Sequence, residues 1–133
     1  MIVVDVNTVA YLWIPGELTS AAEKVLAKDP DWVAPQLWRS EFRNILAQYL
    51  RRDAITHPMM YRCLNGAESQ LDGKTYTIPS VLVMKMVECS ACSAYDCEYV
   101  ALADSLGVKL VTADKQICRE FPRIAVNLKD FSV

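Results

Sequence analysis

Residues 1–13 read MIVVDVNTVAYLW and contain both kinds of regular structure. Residues 2–5 form a short apolar run typical of a buried strand, and residues 7–14 carry the pattern of a short helix that ends at Pro15-Gly16. Asp5 falls where the strand ends. A buried charge at a strand end is unfavourable unless it is compensated, so Asp5 either caps the following helix or helps to hold a cation.

The rest of the chain alternates between the two kinds of element. Further strands are predicted at residues 32–34, 74–78, 108–111 and 124–126. A helix is predicted from Ser20 through residue 28, because Glu23 lies at capping-box spacing from Ser20. Further helices are predicted at residues 37–50, from Pro58 to about residue 71, from Pro79, from Ser93 to Gly107, and after Asp114. This order predicts a three-layer α/β domain with a mainly parallel central sheet flanked by helices.

Length and composition predict a single domain over residues 1–133. The chain has 53% hydrophobic residues, enough for one core, and it has no linker or internal repeat. The first residues lack the pattern of a secretion signal, and no apolar run approaches the roughly 18 residues of a membrane span. We therefore expect a cytoplasmic protein without a membrane partner.

Cysteine and histidine usage argues against several kinds of site. Five cysteines without an export signal favour reduced thiols over a disulfide framework. Cys89, Cys92 and Cys97 are closely spaced, but a structural zinc site needs four ligands, and the single histidine, His57, lies far upstream before Pro58. A zinc site, or a site with a catalytic histidine, is accordingly not expected.

Four acids occupy comparable positions in the predicted fold. Asp5 and Asp114 follow predicted strands, and Glu41 and Asp96 lie near the starts of predicted helices. Helix capping explains any one of them taken alone. Because ligands of parallel α/β sheets bind beyond the carboxyl ends of the strands, the set of four points to a shared acidic site.

The stretches VVDVNTVAYLW, APQLWRSEFRNILAQY and SAYDCEYVALADSLGVKLVTAD resemble the PIN-domain ribonucleases, and specifically the VapC-like toxins of type II toxin–antitoxin pairs. The resemblance covers nearly the whole chain. It implies a PIN-like fold and a metal-dependent endoribonuclease that cleaves RNA phosphodiester bonds with Mg²⁺ or Mn²⁺. It also implies a homodimer, and a small antitoxin protein whose segment blocks the acidic cleft.

Carried over residue by residue, the resemblance assigns an acidic metal site with two polar neighbours. The acids are Asp5, Glu41, Asp96 and Asp114, and the polar neighbours are Asn7 and Thr112. The three aspartates are the expected direct ligands, and Glu41 is expected to bind through water or to orient the nucleophile. Carboxylates suit Mg²⁺ and Mn²⁺, which prefer oxygen ligands and keep several waters.

Three further positions bear on the extent of the metal site. Some members of the family carry an additional acid where this chain has Gln116, so the choice between one metal and two stays open. Glu98 and Asp104 share the predicted helix of Asp96, and a solvated helix face accounts for both.

Charge gives only local support for RNA binding. The formal net charge is −2, yet residues 39–62 hold five arginines against two acids, a local charge of +3. Arg52 lies eleven residues after Glu41 and so on nearly the same helix face, and Arg43 and Arg52 are predicted to contact substrate phosphates. An ordinary solvated face is the alternative.

The aromatic residues have two interpretations. Tyr11, Trp13, Trp32 and Trp38 are side chains of the kind that stack on unpaired RNA bases. Their apolar neighbours favour core or partner contacts instead.

Two other functions remain open from the sequence. The segment Asp5-Val6-Asn7-Thr8 resembles the nucleophile loop of aspartate-dependent phosphatases of the haloacid dehalogenase type, although that family normally has a second Asp at the place of Asn7. The other alternative is a non-catalytic PIN-like module that binds RNA or protein.

Overall fold

The five strands form one sheet in the order β3-β2-β1-β4-β5, and every neighbouring pair is parallel. The computed structural model describes residues 1–133. The strands are β1 (Ile2–Val4), β2 (Trp32–Pro35), β3 (Thr75–Tyr76), β4 (Leu110–Thr112) and β5 (Ala125–Asn127). The helices are α1 (Val6–Trp13), α2 (Thr19–Lys28), α3 (Leu37–Arg51), α4 (His57–Gln70), α5 (Ser80–Glu88), α6 (Ala94–Leu106), α7 (Lys115–Glu120) and α8 (Leu128–Phe131). The predicted α/β architecture with a parallel sheet is confirmed.

The sheet lies at the centre of one hydrophobic cluster of 32 buried residues. Every residue of β1, β2 and β4 is buried, as expected for parallel strands covered by helices on both faces. The predicted edge strand is confirmed, because β3 is short and ends the sheet. None of the helices combines the length and the apolar character that crossing a membrane requires.

The connections place the carboxyl ends of β1 and β4 side by side. The chain leaves β1 toward β2 on one side, whereas β4 pairs with β1 on the other, with Val4 opposite Val111. The strand order therefore reverses between β1 and β4. In open parallel sheets this switch point leaves a crevice beyond the strand ends where ligands bind.

Helix α4 holds the far end of α1. The indole Nε1 of Trp13 donates a hydrogen bond of 2.7 Å to Oε1 of Gln70, and Cys63 Sγ contacts the Trp13 carbonyl at 3.1 Å. Gly66 lies against the same indole so closely that a Cβ there would come within 2.3 Å of the ring. Helix α4 thus anchors the C-terminal end of α1.

Two local predictions were wrong, and one short helix was not predicted. Ser20 does not cap α2 but lies inside it, and the hydroxyl of Thr19 accepts instead from the Gly16 backbone at 2.9 Å. Strand β4 begins at Leu110 rather than at residue 108, since the Val108 N–H bonds to the Ala103 carbonyl as part of the α6 cap. Helix α8 was not predicted; it is a single turn of four residues, too short to show a periodic pattern.

Candidate active site

Asp5 is the most buried of the four predicted acids, with 6% of its surface exposed. It follows β1 and caps α1: its Oδ1 accepts from the backbone N–H of Thr8 at 2.9 Å and from the Thr8 hydroxyl at 2.7 Å. Its Oδ2 accepts from the Thr112 hydroxyl at 2.5 Å. Burial raises the pKa of Asp5 against the opposing effect of these hydrogen bonds, and the charge of Asp96 raises it further.

Thr112 and Asp114 lie at the end of β4, beside Asp5. The Thr112 hydroxyl accepts from the Asp114 backbone N–H at 3.0 Å, and Oδ1 of Asp114 caps α7 by accepting from Ile117 N–H at 3.0 Å. The two predicted interpretations of Asp5 and Asp114, cap and cluster member, are therefore compatible. Each caps a helix, and its strand end carries it to the crevice between β1 and β4.

Asp96 and Glu41 reach the same crevice from two helices. Asp96 lies in the first turn of α6, which Ser93 caps by accepting from the Asp96 N–H at 3.0 Å. Burial raises the pKa of Asp96, and the charge of Asp114 adds to that effect. Glu41, on α3, accepts from the Tyr99 hydroxyl at 2.6 Å, and burial with the charges of Asp96 and Asp5 raises its pKa.

The four acids form one electrostatic unit. The charge of Asp96 raises the pKa of Asp5, and the charge of Asp114 raises the pKa of Asp96. The charges of Asp96 and Asp5 both raise the pKa of Glu41. The ion pairs of the protein join other residues: Met1 with Asp29 and Asp31, Arg39 with Glu68, and Lys74 with Asp31. No basic side chain neutralises the cluster, so a bound cation would relieve its mutual repulsion.

The side chains of the site suit a hard cation that keeps part of its water shell better than a cation that is enclosed by protein ligands. No three His, Cys, Asp or Glu side chains are arranged to hold a metal ion by themselves. Mg²⁺ does not need such a cage, because it keeps several waters and is commonly bound through one or two carboxylates. All four candidate ligands are carboxylates, which suits Mg²⁺ or Mn²⁺ and disfavours softer metals. Asp5 Oδ2 accepts one hydrogen bond and retains capacity for an ion.

The two predicted substrate arginines lie on different faces of α3. Arg52, at the end of the helix, places its guanidinium 4.8 Å from the ring centre of Tyr49 and lines a cavity with Asn7. Arg43 instead borders surface hollows with Arg39 on one side and Met60 on the other. Only Arg52 shares a cavity with a predicted site residue.

The other residues singled out in the sequence lie outside the acidic cluster or at its border. Trp32 and Trp38 are core residues, each 1% exposed, as the pattern favoured. Asp104 is exposed at the opposite end of α6, beside Lys109. Glu98 is half-buried, and its charge contributes to the raised pKa of Glu41. The five cysteines are free thiols.

Two residues of the site were not predicted from the sequence. Thr8 gives Asp5 two of its three hydrogen bonds, and Tyr99 fixes Glu41. The spacing of both residues could have indicated their place in the site. Thr8 lies three residues after a capping aspartate, and Tyr99 lies three residues after Asp96, on the same helix face.

The architecture and the site define a class: a PIN-like α/β protein with carboxylates gathered at the switch point of a parallel sheet. No family model matches the chain. The chain is 27% identical over 126 residues to Ribonuclease VapC3 of Pyrobaculum aerophilum, covering 92% of this chain and 96% of that protein. Its fold matches the crystal structure of PAE2754 from the same organism, with a TM-score of 0.78, 20% identity, and coverage of 98% of this chain and 92% of the other. The chain is thus similar in sequence to a VapC ribonuclease and in fold to a second protein of the same organism, which agrees with the resemblance that the motifs indicated.

Proposed function

We propose that this protein is a metal-dependent endoribonuclease that hydrolyses RNA phosphodiester bonds and acts as the toxin of a toxin–antitoxin pair. The carrying observation is the cluster of four acids without basic partners in the crevice between β1 and β4. The similarity to Ribonuclease VapC3 supports RNA as the substrate.

Asp5, Asp96 and Asp114 would hold Mg²⁺ or Mn²⁺, directly or through the waters that these ions keep, and Glu41 would bind through water. When bound, such an ion lowers the pKa of a water molecule and stabilises negative charge on phosphate oxygens. The protein holds Asp5 in place through Thr8 and Thr112, so one carboxylate edge keeps a fixed direction.

Glu41 is the residue best placed to orient the attacking water. Its Oε1 is held by Tyr99, which leaves Oε2 to accept a hydrogen bond from that water. Its raised pKa brings the carboxylate nearer the operating pH and makes it a stronger base than an exposed glutamate. In the proposed reaction the water oxygen attacks phosphorus, the bond to the leaving ribose oxygen breaks, one proton of the water passes to Glu41, and the leaving oxygen takes up a proton from solvent.

The alternative of an aspartyl-phosphate enzyme is not favoured. That family normally has a second aspartate at the place of Asn7, and an amide cannot take its place as an acid or base.

The partners are part of the same proposal. A cognate antitoxin would block the acidic crevice, and a basic side chain on its inserted segment would compensate the four carboxylates. We further propose a homodimer, as the resemblance implies, and the cytoplasmic location expected from the sequence.

The test is isothermal titration of the purified protein with Mn²⁺, and then RNA cleavage on the same samples. Wild type is compared with Asp96→Asn and with Asp104→Asn, which removes an exposed acid from the far end of the same helix. The proposal expects Asp96→Asn to lose both metal binding and cleavage and Asp104→Asn to retain both. Metal-independent cleavage, or a wild type that neither binds Mn²⁺ nor cleaves RNA, would overturn it.

A further inference from the structure

A cavity of about 420 Å³ lies beside the acidic site, between α1, α3 and the segment that joins α1 to α2. Helix α1 contributes Asn7 and Tyr11 to its lining, and α3 contributes Gln48, Tyr49 and Arg52. The mechanism proposed above uses none of these side chains. The proposed mechanism therefore gives this cavity no role.

Helical spacing connects the cavity to the acids. Ile45, Tyr49 and Arg52 come after Glu41 at intervals of three or four residues, so they continue its face along α3. On α1, Tyr11 lies one turn beyond Asn7, which is two residues after Asp5. The cavity thus starts about one helical turn, roughly 5 Å, from the acidic cluster.

Charge coupling supports the same proximity. Burial raises the pKa of Tyr11 first, and the charges of Asp5, Tyr49 and Asp114 raise it further. Tyr11 is therefore near two of the proposed metal ligands and near Tyr49, which lines the same cavity from α3.

The chemistry of the lining matches an unpaired nucleobase. Tyr11 and Tyr49 are half-buried rings, and the guanidinium of Arg52 lies 4.8 Å from the Tyr49 ring centre, so the cavity offers flat surfaces on which bases stack. The amides of Gln48 and Asn7 each offer donors and an acceptor to a base edge.

One wall of the cavity is fixed by hydrogen bonds. The Thr19 hydroxyl donates to the carbonyl of Tyr11 at 2.6 Å and accepts from Gly16 N–H at 2.9 Å, which ties the connecting segment to the end of α1. A preformed wall reduces the ordering cost of binding a small rigid group.

We propose that this cavity is a nucleobase subsite, which holds one unpaired base of a single-stranded RNA next to the phosphodiester that is cut. Tyr11 and Tyr49 stack on the base, Gln48 reads its edge, and Arg52 contacts an adjoining phosphate. The subsite rests on the proposed ribonuclease function and determines which nucleotide lies beside the scissile bond. A peptide side chain is the competing occupant, but the stacking pair and the amides favour a base.

The experiment measures RNA binding without metal, so that cleavage does not interfere. Fluorescently labelled oligouridine, oligoadenosine and an abasic ribose-phosphate chain of the same length are titrated with the protein of residues 1–133 in EDTA and monitored by anisotropy. Wild type is compared with Tyr49→Ala, Tyr49→Phe, Gln48→Ala and Tyr61→Ala. Tyr61 is the matched control, since it is an exposed tyrosine on α4.

The proposal expects the wild type to bind at least one of the base-containing chains roughly tenfold or more tighter than the abasic chain. Tyr49→Ala should erase that difference, and Tyr49→Phe and Tyr61→Ala should keep it. Gln48→Ala should change the preference between oligouridine and oligoadenosine. Cross-linking of 4-thiouridine RNA should label the peptides that contain Tyr11 or Tyr49.

Equal binding of base-containing and abasic chains, no RNA binding by wild type, or unchanged base dependence in Tyr49→Ala would each overturn the subsite. The last result is also what a peptide-binding cavity predicts. These outcomes are separable from failure of the ribonuclease proposal. Cleavage with Mn²⁺ but no base dependence rejects the subsite alone, and base-dependent binding without cleavage rejects hydrolysis alone.

Discussion

The hydroxyl of Tyr99 donates a hydrogen bond of 2.6 Å to Oε1 of Glu41, joining two residues that are 58 positions apart in the sequence. Tyr99 lies one turn beyond Asp96 on α6, so this helix supplies one acid of the site and also fixes another. Burial and the charge of Glu41 hold the pKa of Tyr99 far above its usual range, which keeps the phenol protonated as a donor.

Tyr99→Phe should alter the pH dependence of cleavage. Without the phenol, the ionised form of Glu41 loses a stabilising donor, so its pKa, already raised by burial, should rise further. We expect the acid limb of the kcat profile to move to higher pH and stability to fall by about 1 kcal/mol. Tyr61→Phe is the control. An acid limb that stays in place would exclude a positioning role for Tyr99.

Asp5→Asn should abolish cleavage and stabilise the metal-free protein at neutral pH. Removing a residue that only hydrogen-bonds a metal ligand typically costs about 10–100-fold in metal affinity or activity. Removing a ligand itself should therefore cost at least about a hundredfold in activity. Asparagine caps helices as well as aspartate does, so the cap on α1 should survive.

The sign of the stability change depends on the raised pKa of Asp5. A carboxyl with a higher pKa in the folded state stabilises the fold below its unfolded pKa of about 4, and this contribution is lost as pH rises through the folded pKa. The asparagine variant should therefore be more stable than wild type at pH 7 in EDTA, with the advantage shrinking toward pH 4. Urea unfolding at both pH values checks this. A less stable variant at pH 7 would contradict the assigned cost of the buried charge.

Thr112→Val should weaken metal binding and stability together. The change keeps the shape of the side chain but removes the donor to Asp5 Oδ2 and the acceptor for the Asp114 N–H. We expect a loss of about 1–3 kcal/mol in the free energy of unfolding and of roughly 10–100-fold in Mn²⁺ affinity. Thr112→Ser should restore most of both. If the valine and serine variants bind Mn²⁺ equally, the hydroxyl does not organise the site.

Metal affinity should begin to fall at a pH above the range in which ordinary carboxyl groups titrate. Burial raises the pKa values of Asp5, Glu41 and Asp96, so protons compete with the ion at weakly acidic pH. Mn²⁺ affinity measured by titration calorimetry should fall as pH is lowered from 7, well before pH reaches about 4. Asp104→Asn should reproduce the wild-type curve. Affinity that stays constant down to about pH 4 would show that protons do not compete at these acids.

Arg52→Ala should raise KM and reduce the salt dependence of RNA binding by about one unit of slope. The sequence predicted the same effect for Arg43→Ala, but Arg43 lies on another face of α3. Comparing the two variants therefore tests which face of α3 contacts the RNA backbone. Arg123→Ala, at the opposite end of the sheet, is the control. An unchanged slope in Arg52→Ala would remove this arginine from the binding surface.

The elements predicted best are those with a strong local pattern. The apolar strands at residues 2–5 and 32–34 and the amphipathic α3 were recognisable because burial imposes a hydrophobic period on the sequence. The Ser20 cap failed because a capping-box spacing also occurs inside helices, and here the turn at Gly16 and Thr19 decides where α2 begins.

The sequence by itself determined the parallel α/β class and the order of the four acids, since both depend on local periodicity and on the residues at the end of each strand. Only the tertiary structure decided which side chains serve those acids. The pairings of Thr112 with Asp5 and of Tyr99 with Glu41 join residues 107 and 58 positions apart. The separation of Arg43 from Arg52 and the cavity between α1 and α3 likewise depend on how helices pack. Local patterns carry no record of such contacts, because they form only when distant segments are brought together by the burial of a common core.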